Sequence, residues 1–397
     1  MSPAAAAEGA TAHIFLVAAE ASGDRLGAAL MRALQENPNR RLRFSGIGGS
    51  QMTAAGLASL FPIDELAIIG LTTIPRRLRH ILQRIRQTAE AALVARPDAL
   101  VIIDSPDFTH RVARRVRSRA PLIPILDYVS PSVWAWRPGR ARSMRSYVDH
   151  VLALLPFEPD VHARLGGPPC SYVGHPLIEE IGQLRPDAEE SRRRLADPPL
   201  LLVLPGSRGS ELRRLLAIFG AAIGLVRQRY GPLDLVLPTL PHLAARVRAA
   251  VSDWPVTPRI LTEPAEKQAA FRTARVALAK SGTVTLELAL AGVPTVAAYK
   301  IPLLEEMVAR LVVRVPSVIL PNLVLGENVL PEFLQRACTP ENLASALVPL
   351  LGAGPERQRQ LAAMERLDTV MQIGKMIPSR RAAEIVLDLA ATKGGRA

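Results

Sequence analysis

Short apolar runs recur along this chain, and each ends in small or polar residues before a stretch with helical periodicity. After the run Ala99–Ile103, for example, Phe108, Val112 and Val116 recur every four residues, as on one face of a helix. This alternation predicts a parallel sheet covered by helices on both faces. The runs in the first half of the chain are His13–Ala19, Ala99–Ile103, Pro121–Leu126 and Val151–Leu155.

A second series of apolar runs begins at residue 200, which predicts a second sheet. Its members are Leu200–Leu204, Leu233–Leu237, Val276–Ala279 and Thr295–Tyr299. A chain of 397 residues is also too long for one core of ordinary size. We therefore predict an α/β fold of two Rossmann-like domains facing a cleft, residues 13–175 and 176–375. The polar stretch 185–194 is predicted as a linker. The helical tail, 376–397, can pack on either half, and we assign it to the first.

The charge balance indicates an anionic partner. Lys and Arg number 49 against 36 Asp and Glu, a formal net charge of +13, which suits nucleic acid, an anionic membrane or phosphorylated substrates. Cys170 and Cys338 stand far apart, so we expect reduced thiols and neither a disulfide nor a cysteine metal site. No apolar run reaches the ~18 residues of a spanning helix, and no basic leader precedes the first run. We expect a cytosolic or peripherally attached protein.

Three turns that follow strands of the first half are candidate ligand contacts. In the first, Ser22 and Gly23 would let a ligand approach a helix N-terminus, although a plain capped turn explains them equally well. The turn Gly46–Gly49 is a weaker candidate, and neither continues into a dinucleotide pattern, so a nicotinamide cofactor is not supported. In the third, Asp104 and Asp107 offer carboxylates. Asp107 suits a general base for a sugar hydroxyl, or simply a helix N-cap.

The segment Tyr128–Arg137 contains two of the three tryptophans. Trp134 offers an aromatic face to a sugar or an acyl chain and Arg137 a cation to a phosphate, while a hydrophobic plug between helices is the alternative. His175, in a turn between glycine and proline, is either a ligand contact or structural.

Two turns of the second half suit a nucleotide diphosphate. In Pro205–Glu211, glycines free the backbone beside Arg208, whose forked cation suits an anion. In Lys280–Glu287, hydroxyls and amides can meet phosphate, and Glu287 can hold a ribose diol unless it is an ordinary solvated residue. No D-x-D pair is present, so we expect no metal and assign the leaving-group charge to Arg208 and helix N-termini. The candidate nucleotide-binding residues are Gly206, Ser207, Arg208, Ser281, Gly282, Thr283 and Glu287.

An apolar stretch at 66–75 precedes a basic amphipathic helix, which is typical of a membrane-surface element. The alternative is an ordinary solvated helix. Nucleic-acid binding is not expected, because aromatic stacking residues are absent there. The residues assigned to the membrane patch are Ile68, Ile69, Leu71, Arg76, Arg77 and Arg79.

Taken in order, these segments resemble the lipid-A-disaccharide synthase family from about His13 to Leu389. The remaining segments that carry the resemblance are Pro156-Phe157-Glu158, Gly174-His175-Pro176 and Leu320-Pro321-Asn322-Leu323. The resemblance implies a GT-B-type, inverting glycosyltransferase that needs no metal or other cofactor. It implies UDP-2,3-diacylglucosamine as donor, 2,3-diacylglucosamine 1-phosphate as acceptor, and a β(1→6)-linked disaccharide 1-phosphate as product. It also implies a peripheral location on the cytoplasmic face of the inner membrane of a Gram-negative bacterium.

The resemblance assigns Asp107 as the base for the acceptor hydroxyl and the second-half turns to UDP. It places Ser22 and Gly23 toward the acceptor and Asn322 in another cleft motif. Acyl-chain preference, a homo-oligomeric state and the role of residues 1–12 stay open. The alternatives are another lipid-linked N-acetylglucosaminyltransferase, a UDP-sugar epimerase of the same fold, and a non-catalytic basic protein that binds RNA or membranes.

Overall fold

The computed structural model describes residues 11–38, 41–66, 74–313, 315–374 and 376–394. Close contacts divide these residues into two units. One takes the described residues up to Pro176 and from Ile373 onward, and the other is Leu177–Gln372. The predicted boundary between residues 175 and 176 lies next to this division.

The first unit is built on a parallel sheet whose six described strands run in the order β2-β1-β3-β4-β5-β6. Along β1, Leu16 packs on one face and Phe15 and Val17 on the other, so the strand is buried on both sides. The strands are β1 (Ala12–Ala18), β2 (Leu42–Ile47), β3 (Ala99–Ile103), β4 (Ile125–Tyr128), β5 (His150–Ala153) and β6 (Cys170–Tyr172). The helices are α1 (Ala21–Gln35), α2 (Ser50–Ala54), α3 (Ile74–Ala95), α4 (Pro106–Arg119), α5 (Gly139–Met144) and α6 (Glu158–Arg164), with a 3-10 turn at Ile63–Leu66.

The second unit repeats this plan, with described strands in the order β12-β11-β10-β7-β8-β9. In β7, Leu202 packs against one core and Leu201 and Val203 against the other. The strands are β7 (Leu200–Leu204), β8 (Asp234–Pro238), β9 (Arg259–Leu261), β10 (Val276–Lys280), β11 (Thr295–Tyr299) and β12 (Glu332–Leu334). The helices are α7 (Ile181–Leu184), α8 (Ala188–Leu195), α9 (Gly209–Tyr230), α10 (Ala244–Val251), α11 (Pro264–Thr273), α12 (Val284–Leu290), α13 (Leu303–Val312), α14 (Leu320–Leu325), α15 (Pro340–Leu351) and α16 (Pro355–Met371), with 3-10 turns at Pro176–Ile178, Pro241–Leu243 and Gln335–Ala337.

The tail forms α17 (Pro378–Gly394), which packs on α1 in the first unit. Small and aliphatic residues of α17, among them Ala382 and Val386, belong to the same core as Ile14 and Leu16. An ion pair between Arg380 and Glu36, 2.8 Å long, lies at the exposed edge of this contact. No described helix is long and apolar enough to cross a bilayer.

Two local predictions were wrong. The predicted linker at 185–194 is largely helix α8, which begins with a capping box between Asp187 and Glu190. Arg194 on this helix donates to four backbone carbonyls of the second unit, including those of Phe271 and Ala291. These hydrogen bonds fix α8 to that unit. Helix α1 starts four residues before the expected Arg25, so Ser22 and Gly23 lie in its first turn and not in a loop.

Candidate active site

A pocket of about 610 Å³ lies at the carboxyl ends of strands β7, β8, β9 and β10 in the second unit. Parallel strands end at one edge of a sheet, and the turns that leave them converge there. The lining includes six of the seven predicted UDP-binding residues: Gly206, Ser207, Arg208, Gly282, Thr283 and Glu287. It also includes Glu211, Lys267 and Lys280, to which the sequence analysis gave no role.

The turn between β7 and α9 presents two backbone amides to one carboxylate. The amides of Ser207 and Arg208 donate to Oε2 of Glu211 at 3.0 and 3.2 Å. Gly206 has a φ of +110°, and a Cβ there would lie 2.3 Å from the same oxygen, so both conformation and space require glycine. The turn is therefore a cradle for one anionic oxygen, filled by a side chain of the protein.

Cations and carboxylates alternate around the pocket. Lys280 Nζ lies 3.2 Å from Glu211 Oε1, and an Arg208 guanidinium nitrogen lies 3.6 Å from the same atom. Lys267 Nζ lies 3.1 Å from Glu287 Oε2. The Arg208 side chain is 79% exposed, so this cation is free to move toward an incoming anion. The pocket can hold a negatively charged ligand that replaces Glu211 as the partner of these groups.

The structure places Ser281 and Asn322 outside this lining. The Ser281 hydroxyl is buried and donates to the carbonyl of Val318 at 3.1 Å. The Asn322 amide accepts from the backbone of Val329 and Leu330 and donates to the carbonyl of Leu330. Both side chains use their hydrogen bonds to fix the backbone between residues 318 and 330.

In the first unit, an unusual turn at the end of β3 presents Asp107. Asp104 and Ser105 are consecutive non-glycine residues with φ of +53° and +46°, a conformation that costs roughly 1–3 kcal/mol per residue. The Asp104 carboxylate accepts from the amide of Ser105 at 2.7 Å and from the hydroxyl of Ser22 at 3.2 Å. Such strain at a strand end is typical of a functional turn.

Asp107 is the second residue of α4, and its carboxylate is 83% exposed. Its partner is Arg140 on α5, at 3.2 Å, which the sequence analysis missed. The N-cap position of α4 belongs to Ser105, so the capping alternative does not describe Asp107. A carboxylate held beside a cation in this way can accept a proton from a bound hydroxyl.

Trp134 is half-buried in the first unit. Its indole N–H donates to the Glu158 carboxylate at 3.1 Å, and its ring meets Phe157 edge to face at 5.5 Å. Burial raises the pKa of Glu158 to about 7. Arg137 is exposed, has a φ of +54°, and lies over the Trp136 ring at 4.3 Å.

His175 and the first-helix turn are closely packed. Burial lowers the pKa of His175 to about 4, with the nearby Arg25 guanidinium as the lesser cause. Asp24 is buried and accepts from the amides of Gly49, Gln51 and Met52 at 2.7–3.0 Å. It therefore caps α2, which explains why the turns at 19–24 and 46–49 occur together.

The membrane patch is only partly covered by the structure. Ile68, Ile69 and Leu71 lie outside the described residues. Arg76 and Arg77 fall within α3, where their side chains are not described, and Arg79 on the same helix is exposed. The opposite face of α3 buries Ile85 against the core.

Comparison with known proteins places the chain in a family. A family model described as lipid-A-disaccharide synthetase matches residues 14–388. The lipid-A-disaccharide synthase of Nitrobacter hamburgensis is 60% identical over 376 residues, 95% of each chain. That of Rhodopseudomonas palustris is 58% identical over 389 residues, 98% of this chain and 99% of its own.

Solved structures share the fold at low identity. MurG of Acinetobacter baumannii matches with a TM-score of 0.59 and 18% identity, over 95% of this chain and 99% of its own. A UDP-GlcNAc 2-epimerase of Neisseria meningitidis, bound to UDP-GlcNAc, matches with a TM-score of 0.62 and 11% identity, over 96% and 100%. The predicted α/β fold of two Rossmann-like, GT-B-type units is thus confirmed. The chain belongs to the lipid-A-disaccharide synthase family and is a glycosyltransferase of lipid A disaccharide synthesis.

Proposed function

We propose that the pocket of the second unit holds the UDP part of UDP-2,3-diacylglucosamine while Asp107 activates 2,3-diacylglucosamine 1-phosphate. The acceptor O6 attacks the anomeric carbon of the donor as the bond from that carbon to the β-phosphate oxygen breaks. The O6 proton passes to the Asp107 carboxylate, and UDP leaves with the bonding electrons. Attack opposite the leaving group gives a β(1→6)-linked disaccharide 1-phosphate, with inversion at the anomeric carbon.

The amide cradle at residues 206–208 carries this proposal. Its two amide donors and the Lys280 ammonium already surround a carboxylate, so their geometry suits an oxygen of a diphosphate. Arg208 offsets the negative charge that develops on the departing UDP, and a fixed donor in a leaving-group site is typically worth about 3 kcal/mol of barrier. In this proposal Glu287, which pairs with Lys267 at 3.1 Å, accepts from the ribose hydroxyls.

The turn at the end of β3 supports the assignment of the base. The Asp104–Ser22 contact fixes the start of α4, and Arg140 holds the Asp107 carboxylate. General-base catalysis by a positioned carboxylate contributes about 10²- to 10⁴-fold in rate. Because the attacking alcohol is a poor nucleophile at neutral pH, most of this contribution is lost without the carboxylate.

Attachment to the cytoplasmic face of the inner membrane is part of the same proposal. Both proposed substrates carry acyl chains, and the chain has a net charge of +13. The basic residues of the membrane patch attract anionic lipid headgroups at about 1 kcal/mol each near the surface.

The test is a UDP-release assay with both diacylated substrates on wild-type, Asp107→Asn and Asp104→Asn proteins, with UDP binding measured by calorimetry. Asp107→Asn should bind UDP normally and turn over at least 100-fold more slowly. Asp104→Asn, which weakens only the turn, should lose less. Near-normal turnover of Asp107→Asn would exclude this residue as the base, and wild-type protein that releases no UDP would overturn the proposed function.

A further inference from the structure

Helix α13 presents an apolar face to solvent. Met307 and Leu311 are 66% and 80% exposed, and Val308 and Val312 beside them are also exposed. These residues stand at i, i+1, i+4 and i+5, so they form one stripe along the helix. Exposed aliphatic residues are ordinary when scattered, but a contiguous stripe marks a binding surface.

The same helix is held to its own unit by polar groups. Glu306 is buried, and its carboxylate accepts from the Gln335 amide at 2.6 Å. That amide also donates to the carbonyl of Ile301, while the Ile301 amide donates to Gln335 Oε1 at 2.7 Å. An ordinary surface helix buries its apolar residues. In α13 the buried residue Glu306 is polar, and the apolar stripe faces solvent.

The start of α13 lies beside the end of the pocket that contains Lys280. The helix follows β11, whose last residue, Tyr299, has its ring 5.1 Å from the Lys280 ammonium of the pocket. Burial raises the pKa of the Tyr299 hydroxyl, and the charges of Glu211, Arg208 and Glu305 act on it as well. Pocket residues and the first turn of α13 therefore surround one phenol.

We propose that the exposed stripe of α13 binds the acyl chains of the UDP-linked donor. This inference rests on the proposed function, which puts the donor diphosphate at residues 206–208. The chains are attached to the sugar that follows the diphosphate, so they leave the pocket close to where α13 begins. The stripe spans the six residues from Met307 to Val312, about 9 Å along the helix axis. Six charged side chains line the pocket beside its apolar residues, so alkyl chains bound inside it would pack against charge.

The test compares Met307→Gln/Leu311→Gln with wild type and with Leu195→Gln. Leu195 is 64% exposed in the same unit and does not line the pocket, so it controls for loss of an exposed aliphatic side chain. Calorimetry gives the Kd for UDP, and steady-state kinetics give KM for a diacylated donor with chains short enough to stay monomeric. UDP-GlcNAc, which lacks the chains, serves as a binding control.

We expect the double variant to bind UDP and UDP-GlcNAc within twofold of wild type while its KM for the diacylated donor rises roughly tenfold or more. Leu195→Gln should match wild type in every measurement. An unchanged KM in the double variant would overturn the inference. So would loss of sedimentation with phosphatidylglycerol vesicles at unchanged KM, because the stripe would then contact the membrane. Failure of the proposed function is distinct, since it would appear as wild-type protein that does not bind UDP.

Discussion

Replacing Arg208 by alanine should weaken UDP binding without unfolding the protein. The side chain is 79% exposed, and its ion pair with Glu211, at 3.6 Å, is long. Loss of such a surface pair changes stability by about 0.5 kcal/mol or less. A charge-assisted hydrogen bond to a diphosphate contributes about 1.5–3 kcal/mol. The expected increase in Kd is therefore roughly 10- to 150-fold.

Calorimetric titration of UDP into wild-type, Arg208→Ala and Arg213→Ala proteins measures this effect. Arg213 is exposed on α9, the helix that follows Arg208, and lies outside the pocket lining, so its variant removes an equal charge without a phosphate contact. Arg213→Ala should bind UDP within about threefold of wild type. The reasoning is refuted if Arg208→Ala also stays within threefold, or if both variants weaken binding equally, which would indicate a general electrostatic effect.

Gly206→Ala should lower stability by roughly 1–3 kcal/mol and abolish tight UDP binding, because the new Cβ strains the turn and crowds the position of the oxygen that the amides of Ser207 and Arg208 hold. In Gly209→Ala the added Cβ meets only the flexible end of an arginine side chain, so neither the stability nor the affinity for UDP should change. Thermal melts and UDP titrations measure both effects. Burial raises the pKa of Glu158 from 4.5 in the unfolded chain to about 7 in the folded protein. The folded protein therefore loses stability as the pH rises through that range and the buried carboxyl becomes charged. The free energy of unfolding of Glu158→Gln, measured in urea, should therefore rise by about 3 kcal/mol relative to that of the wild type between pH 4.5 and 7. A difference between the two proteins that does not change with pH would exclude this account. Burial lowers the pKa of His175 from 6.5 to about 4, so the wild-type protein loses stability as the pH falls through that range. The His175→Asn variant, which has no such group, should avoid about 3 kcal/mol of that loss.

The sequence predicted the central strands well because they are buried on both faces. Strand β7 was predicted with its observed bounds, and β1 was shifted by one residue. The strands at the sheet edges, such as β2 and β12, were not predicted, because their partly exposed faces lack a continuous apolar run. Helix α8 was taken for a linker because its fixing contacts are arginine hydrogen bonds to distant carbonyls.

Much of the candidate site was also predictable, since its residues occupy turns directly after buried strands. Gly206 and Arg208 stood out because arginine between glycines has no simple structural use. Lys267 and Arg140 were missed because nothing in their own segments marks them; each becomes significant through a carboxylate about 20 or more residues away. Asn322 shows the reverse case, a motif residue whose amide is used within the backbone of its own segment.

Helix α17 makes the first unit discontinuous in the chain, and this affects the order of synthesis on the ribosome. Residues 177–372 are translated in full before the helix that completes the first core. During this interval the surface that awaits Val386 and its neighbours is bare, and exposed apolar surface of this kind is prone to wrong contacts. A stop codon just ahead of Pro378 would thus damage the unit whose strands are encoded about 200 or more codons upstream.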